Sequence, residues 1–203
     1  MVFSAKFIKE RSIMILDKKG AGKMRTVNEK LGPWKARWTR YNWGKASKEI
    51  YNALRNGASI NEIIERFGIK PNISVHEGNV ALNEGLGELI DIICGLGSPT
   101  LWDNTNARLG VGDSNTAEDA SQTGLLGTNK AYKAMDTGYP QRSNQTAIWR
   151  ATFGGDEANF SWQEFTVVNA SDDSGKNLNR KVADKGTKSS GETWTLELQI
   201  TFS

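Results

Sequence analysis

The strongest constraint in the sequence is a strict alternation of side chains near residue 200. From Trp194 to Phe202, apolar residues occupy every second position and polar residues occupy the positions between them. Because successive side chains of a β-strand point to opposite faces, this period of two predicts a half-buried strand. Such a strand requires partner strands, since an isolated strand or hairpin is hardly stable in water.

Other segments after residue 100 indicate the same kind of structure. Residues 108–113 predict a short strand that enters a glycine turn. Two strand-like runs, residues 146–153 and 161–168, flank a Gly- and Asn-containing loop and predict a β-hairpin with a long loop. Short strands with Gly- and Asn-rich turns predict an antiparallel β-sandwich, jelly-roll-like, over residues 98–203.

Residues 44–97 carry helical signals instead. Ser47 is placed to cap one helix, and Ser59 with Glu62 forms a capping box for a second. Residues 85–93 predict a third helix, which stops at the glycines before Pro99. The expected fold class is therefore α+β: a small helical, basic N-terminal region followed by the sandwich. The expected divisions are an arm at 1–43, a helical region at 44–97 and the sandwich at 98–203.

Charge is unevenly distributed along the chain. Residues 1–70 hold 16 Lys and Arg against 6 Asp and Glu, whereas residues 71–203 hold 10 against 17. This split suggests two segments with different neighbours. The basic segment could face nucleic acid, an acidic protein surface or the acidic part of a neighbouring copy, or it could be a solvated face.

Aromatic side chains interleave with the basic ones at residues 34–43. Trp34, Trp38 and Tyr41 have the spacing of one helical face, while Trp38, Tyr41 and Trp43 could instead lie on an extended arm. The two interpretations stay open at this point.

Composition argues against an enzyme. The chain has one histidine, His76, and one cysteine, Cys94. These counts exclude a disulfide framework and argue against a structural zinc site or a His-dependent hydrolase. We expect His76 on a strand or turn and Cys94 as a small buried residue. We expect no catalytic residue, no metal and no cofactor.

Three further motifs favour structural interpretations. Residues 17–24 depart from a phosphate-binding loop, because Asp17 stands at the first glycine position and Met24 follows the lysine. Pairs of acidic residues indicate solvated turns, because calcium needs about six to eight oxygen ligands. These pairs are Glu118-Asp119, Asp156-Glu157 and Asp172-Asp173.

Nucleic-acid and membrane binding are not favoured either. Residues 54–69 are similar to the first part of a helix-turn-helix, but residues 70–78 make a poor recognition helix. Mean hydropathy is −0.53, no run approaches the roughly 18 apolar residues of a membrane span, and no secretory signal is expected.

A group of aromatic residues surrounds the loop at residues 154–159. We expect them to form sandwich core rather than a sugar-stacking platform, although Tyr139 and Phe160 would suit a host-glycan site. The group consists of Trp149, Phe153, Phe160, Trp162 and Phe165.

Several stretches after residue 75 resemble a family of tailed-bacteriophage virion structural proteins. They recur in the same order over about residues 75–203. The stretches are residues 77–85, 109–114, 122–125, 133–140, 149–154, 158–165 and 178–182. The resemblance implies a non-enzymatic particle protein located in the virion and made in the host bacterial cytoplasm. It supplies no catalytic residues.

We therefore expect a minor capsid or decoration protein, with a tail or baseplate component and a host-glycan-binding adsorption module as alternatives. Its expected partners are the major capsid protein or other virion proteins and further copies of itself, for example in a trimer. The basic N-terminal region would provide attachment. The candidate partner-binding residues are Lys18, Lys19, Lys23, Arg25, Trp34, Lys35, Arg37, Trp38, Arg40 and Trp43.

Overall fold

The computed structural model describes residues 34–202, together with the backbone of residues 11–16 and 22–27. These two segments are strands β1 (Arg11–Leu16) and β2 (Gly22–Val27), which pair antiparallel with each other. They belong to one compact unit, and residues 35–201 form another. We call the second unit the body.

The body consists mostly of antiparallel strands and has three short helices in its described residues. The helices are α1 (Lys48–Arg55), α2 (Ile60–Phe67) and α3 (Asn83–Cys94). The strands are β3 (Lys35–Asn42), β4 (Asn72–Glu77), β5 (Val80–Ala81), β6 (Arg108–Gly112), β7 (Lys130–Ala134), β8 (Gln141–Ser143), β9 (Thr146–Phe153), β10 (Glu164–Val168), β11 (Asn179–Val182) and β12 (Trp194–Thr201).

These strands form two five-stranded sheets. The first sheet has the order β4-β3-β12-β9-β8, and the second has the order β5-β11-β10-β6-β7. Four of the strand pairs join neighbours in sequence, namely β3–β4, β6–β7, β8–β9 and β10–β11. The centre of the first sheet joins distant segments, because β12 pairs along its whole length with both β3 and β9.

Aromatic side chains fill the space between the two sheets. The ring centroids of Trp38 in β3 and Phe165 in β10 are 5.6 Å apart. Trp162 lies 4.8 Å from Phe153 and 4.9 Å from Trp194, both in edge-to-face geometry. All five of these side chains are buried. Of the aromatic group predicted to form core, Trp149, Phe153, Trp162 and Phe165 are buried and Phe160 is partly buried, so the prediction is confirmed for four of its five residues.

The helix predictions are also confirmed. The Ser47 side chain accepts a hydrogen bond from the backbone N–H of Ile50 at the start of α1. Ser59 and Glu62 form the expected capping box at the start of α2. Both helices bury apolar residues against Trp43, so they belong to the body.

The structure places the boundary of the body earlier than the expected divisions do. Residues 35–42, assigned to the arm, are the β3 strand in the interior of the first sheet. Helices α1 and α2, assigned to a separate region, follow within the same unit. The alternation in β3 is hard to recognise in the sequence because Arg40 occupies an inner position that an apolar residue would normally take.

Two details of the strand predictions are wrong. The runs on either side of residues 154–159 are not a hairpin, because β9 lies in the first sheet and β10 in the second. Strand β12 is not half-buried, because the polar Thr195 and Glu197 are only 0 % and 9 % exposed. Both differences arise from long-range packing that a local pattern does not encode.

Helix α3 packs against the rest of the body through a glycine, Gly85. A Cβ at Gly85 would collide with the carbonyl oxygen of Asn177 and the Cα of Leu178, whereas a Cβ at Gly87 would meet nothing within 4 Å. The missing side chain at Gly85 therefore allows the helix to approach the backbone of residues 177–178 closely.

These two glycines provide a matched pair of substitutions. Gly85→Ala should lower the free energy of unfolding by about 1–3 kcal/mol, because the methyl group has no space. Gly87→Ala should raise it by about 0.5–1 kcal/mol, since alanine favours a helix. Urea unfolding of both variants measures the difference, and equal effects would contradict the close approach at Gly85.

Candidate functional site

The expected attachment residues fall into three groups. Lys18 and Lys19 lie outside the described residues, and Lys23 and Arg25 belong to strand β2, of which only the backbone is described. Nothing in the structure brings these four side chains to a partner surface or removes them from one.

A second group lies at or near the surface at the start of β3. Trp34 is partly exposed, and Lys35 and Arg37 are exposed. The Arg37 guanidinium lies 3.7 Å from the Glu77 carboxylate, and both side chains are more than half exposed. Exposed ion pairs contribute little to stability, so this pair does not prevent Arg37 from binding a partner.

The third group is buried and therefore cannot meet a partner at the surface of the folded body. Trp38 is 0 % exposed and packs against Phe165. Arg40 is 8 % exposed and lies over the ring of Trp194, with 4.5 Å between the guanidinium carbon and the ring centroid. Trp43 is 4 % exposed and donates a hydrogen bond from Nε1 to Thr195 Oγ1 at 3.1 Å.

The fold also changes how the uneven distribution of charge along the chain is interpreted. Residues 34–203 hold 18 Lys and Arg against 20 Asp and Glu, whereas residues 1–33 hold 8 against 3. Much of the apparent asymmetry therefore lies between segments that pack together in the body. The remaining basic excess is concentrated before residue 34.

The body contains a buried carboxylate–arginine network on the outer face of the first sheet. Asp136 is 0 % exposed and lies within hydrogen-bond distance of Arg150 (2.9 Å) and Arg55 (2.7 Å). It also accepts hydrogen bonds from the backbone N–H and the hydroxyl of Thr152. Arg150 donates in turn to the carbonyl oxygen of Leu54 at the end of α1.

This Asp136 network holds the covering segments in place. It joins β9, the end of α1 and the loop that follows β7. Burial raises the pKa of Asp136, and the charges of Arg150 and Arg55 oppose this rise. The carboxylate is enclosed by donors and has no open position for a substrate.

A second buried pair lies on the outer face of the second sheet. Glu164 and Arg180 are both 0 % exposed, and their charged atoms are 2.7 Å apart. Glu164 also accepts hydrogen bonds from the backbone N–H groups of Leu126 and Gly127. Arg180 donates to the carbonyl oxygen of Thr116 and to the side chain of Gln122.

The Glu164–Arg180 pair therefore fixes the irregular segment between β6 and β7 over the sheet. The backbone polar groups of this segment would be costly to bury without partners. The carboxylate and guanidinium supply these partners. This pair, like the Asp136 network, acts on the chain itself rather than on a ligand.

Sequence reasoning missed both buried pairs. The available signal was a charged residue inside an otherwise apolar strand run, namely Arg150 in 146–153 and Glu164 in 161–168. Such a residue is expected to have a buried partner. The sequence does not indicate which distant residue provides it.

The other two candidate residues, His76 and Cys94, lie on different elements, β4 and α3. His76 lies on strand β4 as expected, and the nearest side-chain partner of its Nε2 is Ser74 Oγ at 3.4 Å. Cys94 is exposed at the end of α3, so the expectation that it is buried is wrong. Its neighbours Ile93 and Leu96 are 74 % and 54 % exposed, so the end of this helix lies at the surface.

The aromatic pair that would suit a glycan is not displayed as a platform. Tyr139 is 8 % exposed, and the Arg150 guanidinium lies 4.3 Å from the centroid of its ring. Phe160 is partly buried. A sugar ring therefore has no pair of open aromatic faces here.

Two of the clefts on the surface of the body are shallow. One of about 470 Å³ lies beside α1, where Tyr51, Gly154 and Glu157 contribute to its walls. Glu157 pairs with Lys133, whose ammonium also lies 3.2 Å from the Tyr51 hydroxyl. The carboxylate of Glu157 and the ammonium of Lys133 therefore neutralise each other beside this cleft.

Two classes of site are absent from the described residues. They contain no group of three or more His, Cys, Asp and Glu side chains that could hold a metal ion. Among the helices that the structure describes, none is both long enough and apolar enough to cross a membrane.

Comparison with known proteins gives no relative. No family model, no curated protein and no solved structure matches the chain.

Several buried cations form no salt bridge with a described carboxylate, and Lys185 is one of them. Lys185 is 2 % exposed, and its ammonium donates to the carbonyl oxygens of Trp38 (3.0 Å) and Ser74 (3.2 Å). Burial, together with the charges of Arg40 and Lys181, lowers the pKa of Lys185 to about 7. A neutral amine can still donate both hydrogen bonds.

The lowered pKa predicts a dependence of stability on pH. In the unfolded chain the Lys185 pKa is about 10.4, so between pH 7 and 10 the unfolded chain binds a proton that the folded chain has lost. The contribution of Lys185 to the free energy of unfolding therefore rises with pH over this range. It should increase by about 2 kcal/mol between pH 7 and pH 9.

Urea unfolding of Lys185→Met at pH 7 and pH 9 tests this prediction. The variant should lose that increase, whereas the exposed control Lys176→Met should keep it. An increase of the same size in Lys185→Met would show that another group causes the pH dependence.

Proposed function

We propose that this protein is a non-enzymatic structural component of a tailed-phage virion, specifically a minor capsid or decoration protein. In this proposal the body is a rigid scaffold with jelly-roll-like connectivity. The basic residues before position 34 attach it to the acidic surface of the shell, together with Lys35 and Arg37 at the exposed start of β3.

The observation that carries the proposal is where the residues of the phage resemblance lie in the body. The resembling stretches contain Asp136, Arg150, Glu164 and Arg180, which make both buried pairs. They also contain Gly85, which allows α3 to pack closely. The resemblance therefore concerns residues that build a scaffold, which fits a protein whose function is to occupy a place in a particle.

The distribution of charge supports attachment through the N-terminal residues. The body is nearly neutral by count, whereas residues 1–33 carry 8 Lys and Arg against 3 Asp and Glu. Many weak contacts of this kind are sufficient on a particle, because multivalent binding multiplies their effect.

Gold labelling of particles from the phage that encodes this chain tests the proposal. Antibodies against the protein should label the head over its whole surface. Label confined to the tail would contradict the decoration role and support the tail or baseplate alternative. Particles without any label would contradict a virion role altogether.

Two charge variants in the same phage test the attachment. Replacing Lys18, Lys19, Lys23 and Arg25 with glutamine should reduce the amount of protein per particle, measured by immunoblot. The matched control replaces four exposed basic residues of the body with glutamine and should be incorporated normally. These four residues are Lys45, Lys48, Arg142 and Lys176. Equal incorporation of the two variants would contradict attachment through the N-terminal charges.

A further inference from the structure

The edge of the first sheet at β4 differs from the other sheet edges of the body. An open strand edge is a template for pairing, and proteins usually block it with lysine, proline or a very short strand. Strand β5 has two residues and β8 has three, and Lys130 and Lys133 lie on β7. Strand β4 has six residues, NISVHE, with no lysine or proline.

The β4 edge also exposes apolar side chains. Ile73 is 54 % exposed and Val75 is 39 % exposed. Both lie on the outer face of the sheet, where they stand opposite Tyr41 and Thr39 of β3. An exposed and unblocked strand that carries β-branched residues is suited to pair with another strand.

The hydrogen bonds to β3 show which backbone groups are open. The N–H of Gly78 donates to the carbonyl oxygen of Ala36 across the β3–β4 pair. Because the polar groups of an antiparallel strand alternate between its two sides, those of residues 72, 74 and 76 point toward β3. The groups of Ile73, Val75 and Glu77 therefore point to the open side.

We propose that β4 pairs antiparallel with β4 of a second copy of this chain, about a two-fold axis at Ser74. In this register Ile73 lies opposite Val75 of the other copy, and Ser74 lies opposite Ser74. The open N–H and C=O groups of Ile73 and Val75 then bond to each other across the axis. All four exposed β-branched side chains of the two copies meet on one face.

The charges next to the strand fit the same register. Glu77 is exposed and lies opposite Pro71 of the other copy, one residue from the exposed Lys70. Each copy thus places an acidic residue beside a basic one of its partner, twice per pair. Shifting the axis to Val75 would instead place Ile73 opposite Glu77, which mismatches an apolar and a charged side chain.

The partner at this surface is a second copy of the chain. This pairing does not depend on the proposed virion role. It joins two first sheets into one continuous ten-stranded sheet. It gives pairs of molecules, since an isologous contact of this kind closes after two copies.

Sedimentation equilibrium of the full chain over a range of concentrations tests the proposal. The mass should rise from 22.4 kDa toward twice that value. Val75→Lys, which blocks the edge as natural sheets do, should weaken association about tenfold or more. Because Val75 is on the surface, circular dichroism and the melting temperature should stay close to those of the unsubstituted chain.

Ile90→Lys is the matched control. Ile90 is also an exposed apolar residue, with 56 % of its surface exposed, but it lies on α3. It should associate like the unsubstituted chain. A chain that stays monomeric at all concentrations would overturn the proposal. So would association that Val75→Lys leaves intact and Ile90→Lys abolishes.

Cross-linking tests the register directly. In the background Cys94→Ser, the variant Ser74→Cys places two thiols on the two-fold axis. The Cα atoms of such a directly opposed pair are about 4.5 Å apart, within the range of a disulfide. Mild oxidation should link Ser74→Cys into dimers and leave Val75→Cys mostly unlinked. The opposite result would overturn the register.

Discussion

The structure depends on two buried carboxylate–arginine pairs, one on the outer face of each sheet. A sheet that packs against another on one side normally faces water on the other. Here the Asp136–Arg150 pair ties α1 and the loop after β7 onto the first sheet, and the Glu164–Arg180 pair ties the segment before β7 onto the second. Ionic pairs of this kind contribute little net stability compared with an apolar pair, but breaking one by removing a single partner is costly. Their effect is to specify where the covering segments lie.

This arrangement explains which parts of the structure could be predicted from the sequence. The helix caps at Ser47 and Ser59 and the alternation in β12 are local, so the sequence revealed them. The outer burial of Thr195 and Glu197 depends on segments far away in the chain, and local periodicity cannot show it. The same holds for β3, whose interior position is disguised because Arg40 lies on the inner face over Trp194. Trp38 and Trp43 looked like attachment residues for this reason, although they are core.

The candidate site could likewise be predicted from the sequence only in part. Scarcity of histidine and cysteine argued against an enzyme from the sequence, and the charged residues of the two buried pairs are enclosed by their own hydrogen bonds. The body exposes the start of β3, the open edge of β4 and the outer side of α3. These surfaces suit the proposed assembly role, in which attachment to a shell and pairing with a second copy would use different residues.

The central claim is that each buried pair holds a covering segment in place. Hydrogen exchange measured by NMR tests it most directly, because the backbone N–H groups of Leu126 and Gly127 bond to Glu164, and that of Thr152 bonds to Asp136. The N–H groups of Leu126 and Gly127 should exchange as slowly as those of β10, although they lie in an irregular segment. In Arg180→Met they should lose this protection, while Thr152 keeps its own. Fast exchange of Leu126 and Gly127 in the unsubstituted protein would contradict the account.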